Sequence, residues 1–223
     1  MNAALRSSAA HLIVESLENP ELAEQDEHHL MRVLRIRTGE IVSLTDGAGR
    51  WRLGRLQGRT LVPTGEIETS PQLPPVRIAT AIPKGGRLDW MVQKVTELGC
   101  THLALVHCER SVVRWAPERV EAPLARLRRI ARDAVTQSRR TAVPTIDPPR
   151  PFGEVVGWPG AVVADPGGRP LAERPSWIVI GPEGGLVPDE FARAGATACL
   201  SANVLRIETA AMAATCLLAH DGG

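Results

Sequence analysis

The chain has 223 residues, 26 Lys and Arg against 25 Asp and Glu, a formal net charge of +1 and 43% apolar residues, enough length for one large domain or two small ones. No apolar run reaches the ~20 residues a membrane-spanning helix needs, and the opening Met1-Asn2-Ala3-Ala4-Leu5-Arg6-Ser7-Ser8 lacks the continuous apolar segment of a signal peptide, so a soluble cytoplasmic protein is expected. Cys100, Cys108, Cys199 and Cys216 form no Cys-x-x-Cys pair, which argues against a metal site and for reduced thiols packed as small apolar groups.

Residues 10 to 67 read as a small β-rich domain. His11 to Val14, Ile41 to Thr45, Trp51 to Leu56 and Leu61 to Ile67 are short strand candidates, with Asp46-Gly47 as a turn signal between two of them. A short helical piece, residues 28 to 35, places Leu30, Val33 and Leu34 on one side and turns Arg32 and Arg35 elsewhere. Seven arginines stand against Glu40 and Asp46 between residues 28 and 60, a balance that suits a phosphate backbone as well as an ordinary charged exterior. His28 and His29 have no Cys or acidic pair at metal spacing.

Ser70-Pro71-Gln72-Leu73-Pro74-Pro75 is the linker, since proline opposes both helix and interior strand. Beyond it, strand and helix signals alternate. Val76 to Ile82 is a strand ending at Pro83-Lys84-Gly85-Gly86. Arg87 to Gly99 is a helix with Leu88, Met91, Val92, Val95 and Leu98 inward and Arg87, Trp90, Lys94 and Glu97 as neighbours on its other face. Thr101 to Cys108 is a strand followed by the basic loop Glu109 to Arg114, and Pro117 to Ser138 is a long helix buried through Val120, Leu124, Leu127, Ala131 and Ala134. Strands at Ala161 to Ala164, Trp177 to Ile180 and Thr197 to Leu200 complete an alternation that implies a mainly parallel sheet with helices on both faces. The last helix, Glu208 to His220, is apolar on nearly every side, as suits burial against the sheet and a second subunit.

Residues 76 to 150 carry 14 basic and 7 acidic side chains and residues 151 to 223 carry 4 and 8. Such asymmetry fits either a polyanion-facing surface or a solvated helix face. Only Lys84 and Lys94 among the basic residues are lysines. Two strand-end loops stand out: Gly181-Pro182-Glu183-Gly184-Gly185 after one apolar run and Ser201 to Arg206 after another. Ligands of open α/β sheets lie outside the carboxyl ends of strands, so the pair predicts a pocket walled mainly by backbone. The P-loop, dinucleotide and Gly-x-Ser-x-Gly patterns are all missing, which removes support for nucleotide triphosphate, NAD and hydrolase chemistry. Arg206 and Glu208 read either as site residues or as stabilisers of a helix start.

His29 to Arg35, Gly39-Glu40, Asp46-Gly47, Gln93 to Gly99, Glu109-Arg110-Ser111, Gln137 to Arg140, Ile180 to Gly185 and Leu205 to Ala210 together resemble, in the same order, the RsmE family of 16S ribosomal RNA (uracil-N3)-methyltransferases in the SPOUT superfamily. The resemblance implies an N-terminal PUA-like RNA-binding β-barrel over residues 1–70 and an α/β methyltransferase domain with a C-terminal trefoil knot over residues 76–223, paired as a homodimer. It implies S-adenosylmethionine held by Ala164, Asp165 and Pro166, by Ile180, Gly181, Pro182, Glu183, Gly184 and Gly185, and by Leu200, Ser201, Asn203, Val204, Leu205 and Arg206. Family members commonly have Gly and Arg where this chain has Ser201 and Asn203. Arg206 is then expected to stabilise charge on the uracil oxygens, and Glu208 or Glu183 to accept or orient the N3 proton. Arg32, Arg35, Lys84, Lys94, Arg110, Arg114 and Arg139 are assigned to the substrate, 16S rRNA of the small ribosomal subunit. A SPOUT enzyme acting on ribose 2′-OH or tRNA, and a non-catalytic RNA-binding assembly protein, are the alternatives.

Overall fold

The computed structural model describes residues 2–23, 30, 35–171 and 173–220. The chain divides into two units: Met1–Gln72 together with Arg132–Val143, and Leu73–Ala131 together with Pro144–Gly223. The piece expected to be helical over residues 28–35 lies outside the described residues, apart from Leu30 and Arg35, and Arg32 lies outside with it.

The first unit opens with a short helix, α1 (Ala3–Ser7), whose free Ala4 N–H is accepted by Asn2 Oδ1 at 2.8 Å. Four strands follow, β1 (His11–Ile13), β2 (Ile41–Thr45), β3 (Arg50–Gln57) and β4 (Thr60–Thr69), in the order β1-β2-β3-β4. β1 runs parallel to β2, and the other pairs are antiparallel. The Asp46-Gly47 turn closes β2 onto β3 because the Asp46 carboxylate accepts from Ala48 N at 2.8 Å and Arg50 N at 3.2 Å. Leu12, Leu17, Leu30, Val42, Leu44, Leu56 and Leu61 form the core of this unit.

Beside that core lies a buried polar network. His11 Nε2 donates to the Arg140 carbonyl at 2.7 Å, which fixes the neutral tautomer, so Nδ1 accepts from Ser43 Oγ at 2.7 Å. Arg139 donates to the Leu5 carbonyl and to Ser8 Oγ, which is itself 2.9 Å from Ser43 Oγ. These bonds are why residues 132–143 belong to a unit otherwise built from the chain's beginning. Burial, with the nearby Arg139 charge adding to it, pushes the His11 pKa from 6.5 down to about 4. The unfolded chain takes up the proton first as pH falls, so the stabilisation is complete above pH 6.5 and is lost as pH drops toward 4. Protonation of the unfolded chain therefore removes about 2 kcal/mol by pH 5, from about 1.4 kcal/mol per pH unit. Denaturant unfolding at pH 7 and pH 5 is expected to show that loss in the wild type and a flatter dependence in His11→Gln.

In the second unit the strands are β5 (Arg77–Ala81), β6 (His102–His107), β7 (Thr145–Pro151), β8 (Ala161–Pro170), β9 (Trp177–Ile180) and β10 (Thr197–Cys199). Their order is β10-β8-β9-β5-β6-β7, and every pairing is parallel. The helices are α2 (Arg87–Glu97), α3 (Glu121–Ser138), whose residues from Arg132 on belong to the first unit, α4 (Phe152–Val155), α5 (Pro188–Arg193) and α6 (Ile207–His220). Central strands are buried residue after residue, as at Leu103 to Val106 and Trp177 to Ile180, the pattern of a parallel sheet covered on both faces. α6 packs on α2, β5 and β9 and buries Ile207, Ala210, Ala211, Ala214 and Leu218. Its opposite face, with half-buried Met212 and Ala213 and exposed Cys216 and Leu217, is open. The helix is thus apolar on both sides but buried within the unit on only one.

Three elements of this unit escape a reading of local sequence. β7 contains Pro148, Pro149 and Pro151, which argue against a strand, but it is an edge strand paired only with β6, where missing N–H donors cost little. α4 is one turn after those prolines. α5 starts at Pro188, with Glu190 Oε2 accepting from Val187 N at 3.2 Å, a proline-first start with an acidic residue reaching back to the entry.

Candidate active site

Three strand ends meet. Ala164 on β8 lies in register with Ile180 on β9. On the other side of β8, Thr197 of β10 pairs with Val163 but its neighbour Ala198 pairs with Arg169. Residues 164–168 therefore bulge out of the ladder, and Asp165 Oδ1 ties the bulge by accepting from Gly167 N at 2.8 Å. Opposite lie the loop after β9, closed by Gly185 N donating to the Pro182 carbonyl at 2.9 Å, and the segment from Leu200 to Arg206 that leads into α6. The φ of Gly185 is +70°, a conformation other L-residues rarely adopt.

These segments enclose a cavity of about 700 Å³, within the range of cofactor pockets. Ala164, Asp165, Pro166, Ile180, Gly181, Pro182, Glu183, Gly185, Leu200, Ser201, Asn203, Val204, Leu205 and Arg206 all line it, with Arg87, Leu186, Phe191, Ile207 and Ala210. Gly184 does not; its carbonyl accepts from Arg110 Nη1 at 3.0 Å. Ser201 Oγ accepts from Asn203 N at 3.2 Å, so these two residues together make the turn of their loop. The wall is apolar at Ile180, Leu186, Phe191, Leu200, Leu205 and Ile207 and polar or charged at Arg87, Asp165, Glu183, Ser201, Asn203 and Arg206, a mixture suited to a ligand with an apolar ring and polar groups.

One side of the cavity is charged. Arg87 Nη1 donates to Glu183 Oε1 at 2.8 Å and lies 3.5 Å from Glu208 Oε1. The Glu183 side chain is 34% exposed and that of Glu208 only 7%. Glu208 itself, expected in the site, is not among the cavity's lining residues, and its Oε2 is buried without a hydrogen-bond partner among the described residues. Reading helix spacing alone sets Arg87 beside Trp90, Lys94 and Glu97 and misses this role. The available signal was its place as the first helical residue after Lys84-Gly85-Gly86, a further strand-end loop.

The basic residues singled out in the sequence are distributed as follows. In the second unit Lys84 is exposed, and Lys94 is paired with Glu97 at 2.8 Å. Arg114 Nη2 donates to the carbonyls of Cys108 at 2.6 Å and Glu109 at 2.9 Å, bracing its own loop. Arg110 braces the loop after β9, and Glu190 Oε1 accepts from Glu109 N at 2.8 Å, so the basic loop and the cavity loop are clasped together. Burial pushes the Cys108 thiol up to about 12, too high for a nucleophile. In the first unit Arg139 serves the polar network, and Arg35 is exposed with φ +54°. Among the described residues no cluster of His, Cys, Asp or Glu is arranged to hold a metal ion, and no described helix is long and apolar enough to cross a membrane.

A six-stranded parallel sheet with a cavity at its strand ends defines the class, and comparison with known proteins agrees. Residues 70–219 match the RNA methyltransferase domain family, and residues 22–61 match the RNA methyltransferase PUA domain family. The chain belongs to the RsmE family. It is 33% identical to ribosomal RNA small subunit methyltransferase E of Mycobacterium tuberculosis over 216 residues, covering 83% of this chain and 80% of that protein. With the Bacillus subtilis protein of the same name the identity is 28% over 241 residues, covering 93% and 92%. The crystal structure of the Neisseria gonorrhoeae ribosomal RNA small subunit methyltransferase E bound to S-adenosyl methionine superimposes with a TM-score of 0.78 at 26% identity, covering 96% of this chain and 98% of that one.

Proposed function

We propose that this protein methylates N3 of a uridine in the 16S rRNA of the small ribosomal subunit, with S-adenosylmethionine as donor, in the cytoplasm. The observation that carries the reading is the cavity, in which three strand ends and the start of α6 converge. The names of the curated relatives and the ligand of the gonococcal structure support it. The residues present fit the donor: apolar side chains of Ile180, Leu186 and Leu205 for the adenine, main-chain groups of the Gly181 to Gly185 turn for its edge, and polar groups of Asp165 and Glu183 for the ribose and amino-acid end. Bound there, the donor supplies an activated methyl on sulfur, which passes to N3 while the sulfur keeps the electron pair of the broken bond. The chain's own residues orient the base, exclude water and receive the N3 proton.

N3 lies on the pairing edge of uracil, so the nucleotide must be unpaired or drawn out of its stack. On this reading Lys84, Lys94, Arg110, Arg114, Arg32, Arg35 and Arg139 serve the RNA. Residues 1–70 form a PUA-like barrel, and the segments around β8, β9 and β10 form the trefoil knot of the methyltransferase domain. A second copy of the chain covers the open face of α6, where Leu217 is 41% exposed. Leu217→Glu is expected to shift the protein in light scattering from a dimer to a monomer of 24.0 kDa, because a charge desolvated in an apolar interface has no partner. An unchanged dimer would place the interface elsewhere.

The test is transfer of a tritiated methyl group onto small ribosomal subunits from a strain lacking this protein, followed by mass mapping. 3-Methyluridine in 16S rRNA is the expected product. Label on a ribose 2′-oxygen or on tRNA overturns the substrate assignment, and absence of S-adenosylmethionine binding in titration calorimetry overturns the enzymatic one.

A further inference from the structure

The segment that follows the turn after β9 serves two cavities. Gly185, Leu186 and Phe191 line the one already described. Between them in sequence, Val187, Pro188, Asp189 and Glu190 line a second, of about 570 Å³, which Cys108, Glu109 and Arg114 of the basic loop also line. Residues 185–191 are therefore a wall with the candidate donor site on one side and the basic loop on the other.

The two loops are tied twice. Glu190 Oε1 accepts from Glu109 N at 2.8 Å and Oε2 from Val187 N at 3.2 Å, so one carboxyl group spans the main chains of both. Arg110 Nη1 donates to the Gly184 carbonyl at 3.0 Å. Within the basic loop, Ser111 Oγ accepts from Cys108 N at 2.9 Å, and Arg114 Nη2 donates to the Cys108 and Glu109 carbonyls at 2.6 and 2.9 Å. Residues 108–114 thus hold one another, and whatever restrains them is passed to residues 187–190 through hydrogen bonds.

We propose, resting on the methyltransferase reading above, that Glu190 is a positioning residue that couples RNA binding to donor binding: by fastening the basic loop to the segment after β9, it lets RNA held on the first loop firm up the donor cavity walled by the second. The two ties differ once RNA is bound. Arg110 is assigned to the RNA, so phosphates compete with the Gly184 carbonyl for its guanidinium. Glu190 accepts from main-chain N–H groups, which phosphates on Arg110 and Arg114 leave in place. Its tie is the one that survives substrate binding. It also requires a carboxyl group: both oxygens accept, and an amide of the same shape would turn its NH2 toward one of the two N–H donors in either orientation. With the basic loop held, less ordering is left for the donor to supply, and by linkage the donor strengthens RNA binding by the same factor.

The experiment is equilibrium dialysis of tritiated S-adenosylhomocysteine, the donor without its methyl group, with and without saturating small subunits from a strain lacking this protein, with thermal unfolding measured alongside. Wild-type protein is expected to bind the probe about tenfold more tightly when subunits are present, within the usual range of coupling between sites. Glu190→Gln and Glu190→Ala are expected to bring that factor below about twofold. Asp189→Asn, the same change one residue away, is expected to keep the wild-type factor. A wild-type protein that binds probe and subunits independently overturns the proposal. So does a Glu190→Gln protein that melts lower or binds the probe more weakly yet keeps full coupling, the result a merely structural role predicts. Equal loss of coupling in Asp189→Asn overturns it too, since local charge rather than the tie would then be responsible. If Glu190→Ala does not fold, the near-isosteric Glu190→Gln decides alone. A wild-type protein that does not bind the probe at all overturns instead the functional reading on which this rests.

Discussion

Replacing Arg206 with alanine is expected to cut methyl transfer by about two to three orders of magnitude, the cost of removing one preorganised donor from an oxyanion site, while donor affinity stays within about threefold. Arg206 sits at the last position before α6, and its carbonyl accepts from Ala210 N at 2.8 Å, so the first turn of the helix fixes its backbone. Its side chain is exposed and lines the cavity. In the proposed uracil-N3 reaction, charge spreads onto the uracil carbonyl oxygens as N3 loses its proton, and a cation already in place stabilises it without reorganisation. The predicted signature is a fall in kcat with little change in KM for the donor, since the interaction grows only in the transition state. Arg206→Lys is expected to fall between the two, keeping the charge but not the planar fork. Normal turnover by Arg206→Ala refutes the role; loss of donor binding with an unaltered rate at saturation reassigns the arginine to the cofactor.

The parts of this site that local sequence reveals are those whose chemistry is local. A buried strand of β-branched residues that stops at Gly-Pro-Glu-Gly-Gly identifies a strand-end loop, and the run from Leu200 to Arg206 repeats the signal before an apolar helix. Their side-by-side placement follows from the parallel sheet that the alternation implies. What stays hidden depends on distance along the chain. Arg87 and Glu183 are 96 residues apart, and helix spacing directs attention to Arg87's neighbours at three and four positions instead. The bulge of β8 leaves no local trace beyond Asp165-Pro166-Gly167-Gly168, because its depth is set by how β10 pairs. β7 is hidden for the opposite reason: its prolines are a correct local argument that an edge position overrides. In the first unit, Arg139, assigned to the RNA through the family resemblance, also donates to Leu5 and Ser8, more than a hundred residues earlier. A charge run records composition, and the bonds that absorb it belong to the fold.

Gly168→Ala is expected to be the most damaging single-methyl addition near the cavity. A Cβ built at Gly168 would stand 2.7, 2.8 and 2.9 Å from the C, N and Cα atoms of Ala198, and those are backbone atoms that no rotamer change can move aside. Ala198 is 4% exposed on β10, so the strand itself must shift. Overpacking of this kind costs about 3 kcal/mol, which for a chain of this size is a fall in Tm of roughly 6–12 °C. The functional loss should exceed that of a distant destabilising change, because the contact joins the two segments that wall the cavity: the bulge carrying Ala164 to Pro166 and the strand leading to Leu200 to Arg206. Donor affinity is expected to drop at least tenfold. Gly195→Ala supplies the control, since nothing lies within 4 Å of a Cβ there. That variant should stay within about 0.5 kcal/mol of wild type, as surface changes usually do, and bind the donor normally. Gly185→Ala separates strain from crowding: its Cβ also meets nothing within 4 Å, but φ is +70°. It should lose about 1 kcal/mol to the left-handed conformation and weaken the donor only through the turn after β9. If Gly168→Ala melts and binds like wild type, the approach of β10 to the bulge is not what holds the cavity walls together, and the site must be maintained from the β9 side alone.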